Sequence, residues 1–122
     1  MEKIIEELHT VVRLKETTEP GDIVVILAED PQSLVYARVA GFERDMNKLD
    51  EWWHIAMHIL NVPPQKVVWT LRTPQFTGQE IFTMGGKKHY VKALDFSEPD
   101  EEALLEDVVM KKDKKPGLRV VK

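Results

Sequence analysis

The chain of 122 residues has no cysteine, six glycines, only two serines and no long apolar run. Each shortage excludes a class of chemistry. Without cysteine there is no disulfide framework, no thiolate nucleophile and no Cys-ligated zinc. Ser33 lies in a turn beside Pro31 and Ser97 in an acidic stretch, and neither has the G-x-S-x-G setting of a nucleophile elbow. Gly85-Gly86 precedes two lysines, yet G-G-K-K has neither the spacing nor the Ser/Thr of a phosphate-binding loop. No stretch approaches the roughly 18 apolar residues of a membrane helix. The opening MEKIIEEL is acidic where a secretory leader is basic. The expectation is a soluble, cytoplasmic protein with no membrane partner. About 120 residues is the length of one ordinary domain.

What is present divides the chain by charge. Residues 1–97 carry eleven bases and fourteen acids, a net of −3. Residues 98–110 carry six acids and no base, and residues 111–122 carry six bases against Asp113. The overall −4 therefore conceals an acidic block followed by a basic tail. All nine aromatic residues lie between Tyr36 and Phe96, and a core needs bulky side chains. Three regions follow: an N-terminal helix over 1–15, a domain over 20–96, and a charged extension over 97–122.

Periodicity supplies the elements. Ile4, Ile5, Leu8, Val11 and Val12 fall on one helical face, although HTVVRL at its end also suits a strand. After the turn Glu19-Pro20-Gly21-Asp22, IVVILA has no polar residue and reads as a strand buried on both faces. LVYARVAGF sets Val35, Ala37 and Val39 against Leu34, Tyr36 and Arg38 on opposite faces. In WWHIAMHIL, Trp53, Ile55, Met57 and Ile59 alternate with His54, Ala56 and His58, which favours a strand. Asp50 as N-cap and Asn61 as terminator would serve a helix there. KVVWTLR alternates again, and EIFTM-GG-KKHYVKAL reads as a hairpin whose two glycines accept positive φ. The acidic block reads as a second helix, and GLRVV at the end as a strand for a sheet edge.

PGDIVV, a polar turn and then VYARV resemble the opening hairpin of SH3-like barrels of the Tudor and KOW type, over residues 20–42. The resemblance implies a small curled antiparallel barrel used to bind proteins or nucleic acids. Six short strands with turn signals between them point to the same mainly β fold.

Function is expected to be non-enzymatic, with no cofactor. The first reading is an adaptor that binds a protein or peptide through Tyr36, Trp52, Lys87, Lys88, His89 and Tyr90. Consecutive tryptophans on a strand point to opposite faces, so Trp52 and Trp53 cannot share one core, and Trp52 is either a contact platform or covered by the N-terminal helix. The second reading is nucleic-acid binding through Arg38, Arg72, Lys87, Lys88, Lys92 and the basic tail. The third is a metal held by His54 and His58, four apart. That spacing unites ligands on a helix but separates them by about 13 Å on a strand. A homodimer through a sheet edge or the terminal segments is a further expectation.

Overall fold

The computed structural model describes residues 1–96. The expected acidic helix, the basic tail and the GLRVV strand lie outside the described residues. In chain order the elements are α1 (Glu2–Val11), β1 (Ile23–Ala28), β2 (Ser33–Arg44), β3 (Trp52–Ile59), β4 (Gln65–Arg72), α2 (Thr73–Phe76), β5 (Phe82–Met84) and β6 (Lys87–Ala93). The strands form one antiparallel sheet in the order β4-β3-β2-β1-β6-β5, curled into half a barrel. All six strands fall on stretches expected to be strands, and residues 52–60 take the strand alternative.

Alternation decides the faces. Ile55, Met57 and Ile59 of β3 are buried, while His54, Ala56 and His58 face outward. A register shift between Val39 and Gly41 leaves Ala40 without a partner, so both Val39 and Phe42 turn inward. The main core gathers Val24, Ile26, Ala37, Val39, Ile55, Met57, Leu71, Val91 and Ala93 on the concave side. A second cluster forms on the opposite face of β1 and β6, where Leu8 meets Val25, Leu27 and Tyr90. This is why IVVILA has no polar position: the half-barrel covers one face and α1 the other.

Helix α1 has ten residues and no side-chain cap, too short to persist alone in water. Its stability comes from seating Ile4, Ile5 and Leu8 on the sheet, roughly 1.5–3 kcal/mol for each fully buried aliphatic side chain. The helix stops earlier than the apolar spacing predicts. Val11 is its last helical residue and is 75% exposed, and Val12 is extended (φ −136°, ψ 154°). The chain then runs beside the end of β6. Leu14 bridges Leu94, Lys15 N–H donates to the Ala93 carbonyl (2.8 Å), and Asp95 N–H donates to that of Arg13 (2.9 Å). The helix-or-strand ambiguity of HTVVRL thus resolves as one and then the other.

The β5–β6 hairpin turns on Gly85 (φ 63°) and Gly86 (φ 78°), as its glycines predict. Helix α2 was not expected from periodicity, because four residues are too few to show one. Pro74 opens it, and the Gln75 side chain accepts from Arg72 N–H at 2.9 Å. It delivers Phe76 to the core, 5.0 Å from Phe42 between ring centres.

Candidate functional site

The strand order scatters the expected contact residues. Trp52 faces outward at the start of β3, with Lys48 Nζ 5.4 Å and the Arg72 guanidinium 5.9 Å from its ring centre. These cations cover it, whereas α1 packs on Tyr90, three strands away on the same outer face. Arg72 also pairs with Glu80 at 2.8 Å. Trp53 points inward, with its indole N–H donating to Thr73 (3.0 Å) and its ring edge toward Phe42.

Lys87 and Lys88 are exposed at the hairpin end of β6. His89 is half-buried, stacked on Phe82 (5.8 Å) and set edge-on to Trp69 (6.0 Å). Tyr90 and Lys92 alternate onto the outer face of β6 but do not reach solvent. Tyr90 lies beneath α1, and its hydroxyl donates to the Gly78 carbonyl at 3.1 Å. Burial pushes its phenol above the ordinary range, with the Glu16 charge adding to the shift. Lys92 is buried against the same loop and donates to the Thr77 carbonyl at 3.2 Å. Alternation alone makes both residues look solvent-facing. A helix and a loop from distant sequence cover them instead.

The five bases of the nucleic-acid reading do not form one face. Arg38 pairs in register with Ile23 at the start of β1, whereas Lys88 meets Glu29 just past its end. Arg72 lies on β4, with three strands between it and β6 in the sheet, and is paired with Glu80. His54 and His58 lie on the outer face of β3 with strand spacing. His54 contacts Asp45 (3.3 Å) and Thr70 (2.9 Å). Among the described residues no group of three or more His, Cys, Asp or Glu is placed to hold a metal ion. No helix there is long and apolar enough to cross a membrane.

Among the expected residues, Tyr36 and His54 each line a hollow, and the one at Tyr36 has more apolar side chains around it. Tyr36 faces outward from β2, half-exposed, on the wall of a cavity of about 420 Å³. Val11, Val12, Ile23, Leu94 and Phe96 complete the apolar lining. Arg13 and Asp95, 3.7 Å apart, stand at the same cavity. A second hollow of about 270 Å³ lies beyond Val11, between Ile4, Leu8 and Leu34. Val11 is therefore a ridge between two apolar depressions. Leu60 extends the patch, since its N–H donates to the Tyr36 carbonyl at 2.9 Å.

Compared with known proteins, the chain matches no family model, no curated protein and no solved structure.

Sequence reasoning identified Tyr36 and missed Val11, Leu34, Leu60 and Phe96. The helical spacing assigned Val11 to the buried face, but at the last position of the helix it is exposed. Phe96 was read as the last core aromatic, but it is more than half exposed at the cavity.

Proposed function

We propose that this chain is a non-enzymatic binding module, an SH3-like half-barrel that takes an apolar segment of a protein or peptide partner. The single observation that carries the reading is the pair of hollows sharing Val11, one lined by Tyr36 and Phe96 and the other by Leu34. Scattered exposed apolar residues are ordinary, but a contiguous and indented apolar patch is the usual form of an interaction site. Two depressions separated by one valine fit a segment that presents two apolar side chains, one to each hollow. Tyr36 provides a rigid aromatic wall of the kind that carries binding energy. The Arg13–Asp95 pair offers a donor and an acceptor to the backbone of an extended segment.

Selection from a random peptide library displayed on phage tests this. Enriched peptides should carry two spaced apolar residues. Their affinity should fall about tenfold or more in Val11→Asp and in Tyr36→Ala, a loss of about 1.4 kcal/mol, and should be unchanged in Lys87→Glu. A selection without enrichment, or peptides indifferent to both patch substitutions, overturns the reading.

A further inference from the structure

The sheet has two ends, β5 and β4. Strand β5 has three residues, an edge too short to template much pairing. Strand β4 has eight, and among the described residues none pairs with its outer side. The direction of its free backbone groups can be derived. Asp45 N–H donates to the Trp52 carbonyl and Leu60 N–H to that of Tyr36, so even-numbered residues of β3 turn their groups toward β2. Odd-numbered residues of β3 therefore turn toward β4. The register Ile55↔Trp69 and Met57↔Val67 then assigns the odd residues of β4 to that ladder. Lys66, Val68, Thr70 and Arg72 are left with N–H and C=O directed away from the sheet. The capture of Arg72 N–H by Gln75 independently confirms this parity and closes that end of the edge.

We propose that β4 pairs antiparallel with β4 of a second copy, on a two-fold axis at Val68. Three registers bring outward-turned residues together near the strand centre, and side-chain chemistry separates them. Centring on Val67 sets Pro64, which has no N–H, opposite the free groups of Thr70, whereas centring on Val68 sets Pro64 opposite Arg72, whose N–H is already taken by Gln75. Centring on Trp69 sets Lys66 opposite Arg72, a like-charge pair. Centring on Val68 places Val68 against itself and Lys66 against Thr70, with two hydrogen bonds available at each facing pair. It also covers Val68, which is 65% exposed on the outer face, and lays Trp69 beside the partner's Val67 on the inner face. From Val67 to Thr70 the devices that usually blunt an edge are absent, and Lys66 beside them is the one charged residue of the central edge. This stretch has no proline and no bulge, and its inward residues Val67 and Trp69 are uncharged. The product is a continuous sheet of two half-barrels.

The absence of native cysteine makes the test clean. In the full chain, Val68→Cys should form a symmetric disulfide under mild oxidation, because facing hydrogen-bonded residues have Cα atoms about 5.5 Å apart. Leu49→Cys, fully exposed in the β2–β3 loop, should not cross-link to a comparable extent. Sedimentation equilibrium of the unmodified chain should give twice the chain mass at high concentration. Val68→Lys, which sets two charges face to face, should weaken association about tenfold or more while circular dichroism stays unchanged. Single-chain mass at every concentration overturns the proposal. So does a dimer that Val68→Lys leaves intact, or one that Val68→Cys fails to trap.

Discussion

At the scale of single residues, burial of polar groups sets the behaviour that can be measured. Tyr90 keeps its phenol neutral because α1 and the loop at Gly78 exclude water from it. A raised pKa in the folded state means that the unfolded chain loses this proton first as pH rises. The contribution is therefore complete below the ordinary phenol range and declines as pH climbs through the folded value, above about pH 10. Lys15 acts in the same direction. Its hydrogen bond to Asp22, 2.7 Å at the shorter oxygen, holds its ammonium above the usual range, and that support also fades in alkali. Tyr90→Phe should cost about 1 kcal/mol at neutral pH, by removing the bond to the Gly78 carbonyl. It should also make the alkaline fall shallower without abolishing it, since the Lys15 share remains. Urea unfolding at neutral and alkaline pH checks both effects, and an unchanged alkaline slope would remove the phenol from the account.

At the scale of elements, the turn and the strands follow different rules. The hairpin between β5 and β6 needs positive φ at two consecutive residues, which glycine reaches without strain. Gly86→Ala should destabilise by about 1 kcal/mol through that backbone cost alone, because no heavy atom lies within 4 Å of where its Cβ would be. A loss several times larger in chemical denaturation would mean that packing, not φ, governs the turn. The strands were legible because β-structure repeats every two residues, and β3 and β4 carry that pattern without interruption. Helix α1 was legible only in part. Spacing reports which residues share a helical face but not where the helix stops. Here it stops because the chain from Arg13 to Lys15 exchanges helical bonds for bonds to Ala93, Leu94 and Asp95. Those partners are some eighty residues away and have no local signal.

At the scale of the whole molecule, the half-barrel is closed on one side by side chains. Trp69 of β4 reaches His89 of β6, which stacks on Phe82 of β5, and this aromatic row bridges the gap between the two ends of the sheet. Trp69→Ala should cost roughly 2–4 kcal/mol, less than a fully buried tryptophan, because the indole is only partly buried against the core. Its thermal unfolding midpoint should fall accordingly, and a change within 1 °C would show that the row closes nothing. The candidate surfaces belong to this scale too. The hollows around Val11 exist because a helix, a strand and the chain after β6 meet there, and the free edge of β4 because β6 joins β1 instead.

The alternating stretches and the apolar run IVVILA determined a mainly β protein and the strands that build it, and the absence of cysteine and scarcity of serine narrowed its chemistry. Side-chain periodicity is a local property, so the amino-acid order carries it directly. The order of strands in the sheet was not legible. The pairing of β6 with β1 depends on which surfaces bury most when the chain closes on itself, and residues on β4 and β6 alternate alike in either arrangement. Tertiary structure alone therefore decided that Tyr90 and Lys92 are covered, that Trp52 lies under two cations, and that Val11 and Tyr36 stand together at an open cavity.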